Sequence, residues 1–173
     1  MQRLNLHPDT KIIGYIGYLT GKENLEMVID CIGYLTNTHN IKYKFLVVNT
    51  SEHNLDNLQN YVDKKGLTTE YLSIRISNEK YIMDYYDIID IFIFTDFVKI
   101  DTNLNDLFKI MSKEGSLIVP DPVPDSITYP ITGVKINKSI LVNGENCVTF
   151  EKNNIVDLAD KILKLSDINF NTK

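Results

Sequence analysis

The sequence predicts a three-layer α/β domain, a mostly parallel sheet of about six strands between helices. Three observations predict it. Short apolar runs rich in Ile, Val, Tyr and Phe alternate along the chain with stretches of helical periodicity, the pattern of right-handed βαβ units. Turn and cap residues separate the segments. The chain has 173 residues, 43% hydrophobic and 24% charged, which suits one soluble domain with a sizeable core.

The elements follow in order. "KIIGYIGYL" (11–19) is a buried strand broken by glycine. Leu25, Val28, Ile29, Ile32 and Leu35 then fall at helical spacing, in a helix that starts between Thr20 and Asn24. "YKFLVVNT" (43–50) is the second strand. Ser51 can cap the next helix, with Leu55, Leu58 and Val62 inward and Gly66 as its stop. "EYLSIRI" (70–76) is a third strand, and Ser77 caps a helix through Ile82, Tyr85, Tyr86 and Ile89. "DIFIF" (90–94) is the fourth strand. Leu104, Leu107, Phe108 and Met111 make an i, i+3, i+4, i+7 stripe, capped by Asp101 or Thr102. "GSLIVPD" (115–121) is the fifth strand. A Pro-rich segment (120–133) leads to a weak strand near Gly133–Ile136 and then to a turn and strand in "NGENCVTF". Asn153 or Asn154 opens a last helix with Ile155, Leu158, Ala159, Ile162 and Leu163 inward.

Composition excludes several classes. A net charge of −5, with basic residues scattered and only Lys64-Lys65 adjacent, argues against a nucleic-acid or anionic-membrane surface. Cys31 and Cys147 sit in apolar patterns and read as two reduced, buried thiols, which points to a cytoplasmic location. The start, "MQRLNLHPDT", has no apolar core of a signal peptide, and no run approaches the ~18 apolar residues of a membrane span. His7, His39 and His53 lie on separate loops without metal-ligand spacing, so neither a metal nor a cofactor is expected. No serine sits in a nucleophile elbow.

In a parallel sheet, ligands bind off the carboxyl ends of the strands at the topological switch point. The candidate segments are therefore 17–24, 49–52, 75–78, 95–104 and 121–128. In "GYLTGKEN" (17–24), Gly17 and Gly21 permit close backbone approach, and the next helix offers unpaired N–H groups to an anion. A plain tight turn is the alternative, since glycines 14, 17 and 21 lack the G-x-G-x-x-G spacing. Segment 95–104 gathers Asp96, Lys99, Asp101, Thr102 and Asn103 at a strand end and helix start. Its N–H groups favour phosphate, which its two carboxylates oppose unless they grip hydroxyls or a metal; a solvated, capped turn is again the alternative. A receiver-like domain is the other α/β fold to weigh, but no acidic cluster spans the first and third strand ends.

Four stretches, in this order and spacing, resemble the C-terminal, donor-binding domain of the group 1 glycosyltransferases: "IIGYIGYLTGKENLEMVID", "ISNEKYIMDYYDIIDIFIF", "LFKIMSKEGSLIVPD" and "ILVNGENCVTFEKNNIVDLADKILKLSD". The resemblance implies a Rossmann-like domain over 11–167, one half of a GT-B fold, with 1–10 a linker or arm and 168–173 a frayed tail. It implies a UDP- or GDP-sugar donor, with Gly17, Tyr18 and Lys22 near the diphosphate and Arg75 and Ser77 near the base. Asp101, Thr102, Asn103 and Lys109 would border the sugar and ribose, with contact to phosphate as the alternative for Lys109. It also implies an N-terminal acceptor domain or partner subunit, without which transfer does not occur.

The motif residues depart from the family's. Tyr18 stands where the family has a diphosphate-binding arginine, and its lysine position falls on Glu23 or Lys22. The family's two acidic residues separated by seven become Asp101 and Lys109, and an ammonium cannot accept hydrogen bonds from ribose hydroxyls. The glycine-rich turn after the second strand is replaced by "VVNTSEHN". Each lost charge-assisted contact is worth about 1.5–3 kcal/mol, so two losses weaken binding on the order of a hundredfold or more. The expected function is the nucleotide-sugar half of a glycosyltransferase. The alternative is a degenerate, catalytically inactive module that holds a partner.

Overall fold

A computed structural model describes residues 10–17, 22–39, 43–49, 55–68, 72–76, 82–95, 109–113, 115–123, 127–128, 135–136 and 141–170. The elements are β1 (Lys11–Gly17), α1 (Lys22–His39), β2 (Tyr43–Asn49), α2 (Leu55–Lys64), β3 (Leu72–Ile76), α3 (Ile82–Tyr86) and β4 (Ile91–Ile93). Helical residues 109–112 form α4. Then come β5 (Ser116–Asp121), β6 (Ile127–Thr128), β7 (Lys135–Ile136), β8 (Val148–Glu151) and α5 (Ile155–Phe170).

Six strands form one sheet in the order β3-β2-β1-β4-β5-β8, every pair parallel. This is the three-layer α/β architecture that the alternation of segments predicts. The chain first winds outward from β1 through β2 to β3, then crosses to β4 on the other side of β1. Right-handed crossovers in opposite directions place their helices on opposite faces. The side chains agree. Ile13, Phe45, Val47, Ile91, Ile93 and Ile118 point to the face covered by α1, α2 and α5. Ile12, Ile16, Leu46, Val48, Phe92 and Leu117, one residue out of phase, point to the face that holds Tyr86 and Ile110.

The helix stripe read from sequence is the buried stripe: Leu25, Val28, Ile29, Ile32 and Leu35 of α1 are each at most 3% exposed. Leu58 and Val62 of α2 and Leu158, Ala159 and Ile162 of α5 join the same core. Gly66 ends α2 in the left-handed region, φ 67°, where a Cβ is strained. Asn154 is the cap of α5: its Oδ1 accepts a hydrogen bond from the Asp157 amide at 3.0 Å. Cys31 and Cys147 are free buried thiols on opposite faces of the sheet.

Two features differ from the sequence expectation. The Pro-rich segment carries a strand of its own, since β6 pairs antiparallel with β7 in a separate two-stranded ribbon. Among the described residues α3 is a single short turn, and Ile89 reaches the core from the turn that follows it.

Candidate functional site

The order β3-β2-β1-β4-β5-β8 reverses direction between β1 and β4, so their carboxyl ends flank the switch point. β1 ends there at Gly17, in register with Asn49 of β2, which is in register with Ile76 of β3. These three residues mark one rim. Across the switch point, the Phe94 amide donates to the Ile118 carbonyl at 2.9 Å, and Thr95 follows with 5% exposure. Thr95 is thus a buried polar residue two positions beyond β4, at the mouth of the crevice. A lone polar residue closing "DIFIFT" is the only signal of it in the sequence.

The sequence-derived residues fall on this edge to different degrees. Gly17 is the last residue of β1, and Lys22 the first of α1, whose amino end faces the same edge. Arg75 is in β3, opposite Val48, two strands from β1 and hence about 10 Å along the rim. Tyr18, Ser77, Asp101, Thr102 and Asn103 lie outside the described residues. Lys109 lies in α4, half-buried, with its Nζ 5.4 Å from the centroid of the Tyr86 ring. Tyr86 is 2% exposed and stacks on Phe92 at 5.7 Å with 25° between the planes. Four residues on, the Lys113 ammonium forms an ion pair with Asp87.

The opposite edge of the sheet is structural. The Asp90 carboxylate, at the amino end of β4, accepts hydrogen bonds from the Ile12 amide at 2.9 Å and the Lys11 ammonium at 3.4 Å. An open cavity of about 540 Å³ also lies there, between the starts of β5 and β8 and the end of α5, lined by Met111, Ser116, Leu117, Glu145, Cys147 and Lys164. It is at the wrong pole for a parallel-sheet ligand site, and the switch point outranks it on that ground. On the α1 face, Asp30 binds the Lys65 ammonium at 2.7 Å and the Tyr61 hydroxyl at 2.9 Å, tying α1 to α2. Among the described residues no three His, Cys, Asp or Glu side chains gather to hold a metal ion, and no helix is long and apolar enough to cross a membrane.

No protein-family model and no curated protein sequence matches the chain. Solved structures do. The C-terminal domain of a glycosyl transferase group 1 family protein, LpcC from Francisella tularensis, aligns with 91% of this chain and 75% of its own, at TM-score 0.65 and 18% identity. TarM from S. aureus, a variant in complex with fondaparinux, α-GlcNAc-glycerol and UDP, aligns with 94% of this chain at TM-score 0.66 and 16% identity. A glycosyltransferase from Rickettsia africae aligns with 92% at TM-score 0.63 and 18% identity. The chain spans 30% of the TarM chain and 38% of the Rickettsia chain. The likeness is one of fold: this chain has the Rossmann-like architecture of one half of a GT-B glycosyltransferase.

Proposed function

We propose that this chain is the donor-side half of a glycosyltransferase, taking a UDP- or GDP-sugar at the switch point between β1 and β4. The observation that carries the proposal is the direction reversal at β1, which brings the end of β1 and the start of α1 beside the end of β4. The crevice thereby combines a glycine strand end with the amino end of a long helix. Such an end supplies unpaired N–H groups and about half a positive charge, suited to a diphosphate. Gly17 lets the backbone approach that group, and Lys22 opens the helix beside it. Arg75 and Ser77 belong at the base, and Asp101, Thr102 and Asn103 at the sugar. TarM, a chain of like fold, was solved with UDP. Glycosyl transfer itself would need an acceptor-side domain or partner subunit to close the other wall of the cleft.

One observation favours a second reading, a module that holds a partner and has lost its donor. The lysine at the ribose position lies against Tyr86, and a tyrosine replaces the diphosphate arginine. Calorimetric titration with UDP, GDP and their sugars separates the two readings. Saturable heat with Kd at or below about 1 mM supports the donor site. Silence with every nucleotide rejects it and leaves the partner-holding module.

A further inference from the structure

We infer that Lys109 is a positioning residue rather than a ligand contact: together with Lys113 it clamps α4 against α3. Lys113 directly follows α4, its amide donating to the Ile110 carbonyl at 3.1 Å, and lies four residues after Lys109, which brings both side chains to the same side. Their partners, Tyr86 and Asp87, are consecutive at the end of α3. Two cations, one in α4 and one directly after it, thus meet the last residue of α3 and the turn residue that follows it, while Ile110, 1% exposed, enters the core beneath. Three contacts in different directions fix both the rotation and the height of α4.

The depth of the contact argues against a ligand role. Tyr86 stacks on Phe92, and Phe92 precedes Thr95 by three residues, about 10 Å of strand. The ammonium is therefore held on a ring packed at mid-sheet, well below the rim where a switch-point ligand sits. Over a buried ring the cation–π attraction is stronger than at an exposed one, because water competes less. The same contact explains how a long cationic side chain is accommodated half-buried beside an apolar face: its stem packs and its charge meets the ring's negative face.

The test uses the whole chain with Lys109→Met, which keeps the stem and removes the charge, and Lys109→Arg, which keeps a cation that can stack. In carbon–proton NMR spectra the Lys109 ε-methylene is identified by its disappearance in Lys109→Arg. It is expected upfield, shifted by the Tyr86 ring current; a resonance at the position of an exposed lysine overturns the inference. Thermal unfolding of Lys109→Met is expected a few degrees below the parent, with most of the loss recovered in Lys109→Arg. An unchanged midpoint also counts against the clamp. In UDP titration, Lys109→Met is expected within twofold of the parent, and a tenfold or larger loss would make Lys109 a ligand contact. A parent that binds no nucleotide defeats the donor-site proposal but not the clamp, which the NMR and melting experiments still decide.

Discussion

The Asp90 amide donates to the Ile12 carbonyl at 2.9 Å, and the Asp90 carboxylate takes the Ile12 amide back at 2.9 Å. One residue thus closes both backbone groups of Ile12 and joins β4 to β1, the two strands that flank the switch point. Asp90→Ala removes the acceptor and leaves the Ile12 amide short of a partner. The expected loss is about 1–3 kcal/mol in denaturant unfolding. A loss below about 0.5 kcal/mol, the range of ordinary surface substitutions, would show that water replaces the carboxylate.

Gly14 makes room for Ile89. A Cβ at residue 14 would lie 2.3 Å from Ile89 Cδ1, 2.6 Å from Cγ1 and 2.7 Å from Cγ2. Gly14 is central in β1 and Ile89 is buried, so neither moves freely. Gly14→Ala is expected to destabilise by about 1–3 kcal/mol through overpacking. In an Ile89→Ala background the same change should cost far less, because the clashing atoms are gone. Additive effects in that double-mutant cycle would mean that backbone strain, not the Ile89 contact, dominates.

Burial pushes the Cys31 thiol from 9.0 to about 12. The folded state therefore holds the proton where the unfolded state releases it. The stabilising difference is complete below pH 9 and is lost as pH rises towards 12, at about 1.4 kcal/mol per pH unit. Lys65 and Tyr61 add to the alkaline loss. The Asp30 hydrogen bond raises Lys65, and burial followed by the Asp30 hydrogen bond raises Tyr61, so both favour the protonated fold. Unfolding free energies measured between pH 8 and 11 should fall steadily, and the slope should flatten in Cys31→Ala. An identical slope in that variant would show that Cys31 is not the source.

Local burial was legible in the sequence; long-range partnership was not. Leu25, Val28, Ile29, Ile32 and Leu35 reveal a helix face because apolar burial acts on a spacing that the sequence displays directly. The alternation of segments likewise yields the parallel sheet, and strand ends yield the edge on which a ligand belongs. Asp90 reads as one more acidic residue of "EKYIMDYYDIIDIF", because its partner Ile12 lies 78 residues away. Tyr86 reads correctly as a buried helix residue, yet nothing local shows that Lys109 will lie over its ring. The neighbours of the site depend on strand order. That β4 rather than β2 completes the crevice beside β1 follows from where the chain reverses. The β6–β7 ribbon is obscured by proline, which lowers strand propensity around it without preventing a two-residue pairing.

If a nucleotide binds at the switch point, residue 109 does not meet its ribose, because its ammonium is held on the Tyr86 ring below the rim. Lys109→Glu should therefore leave UDP binding within about twofold of the parent, although it supplies the acceptor that a lysine lacks. Tyr18→Arg, which returns a cation to the diphosphate, is expected to bind UDP at least tenfold tighter, since one charge-assisted contact is worth about 1.5–3 kcal/mol. Its gain should be equal for UDP and 2′-deoxy-UDP, because the added cation meets the diphosphate and not the ribose. A tenfold gain from Lys109→Glu that vanishes with 2′-deoxy-UDP would bring the ribose to α4 and overturn this reading, and no gain from Tyr18→Arg would move the diphosphate away from residue 18.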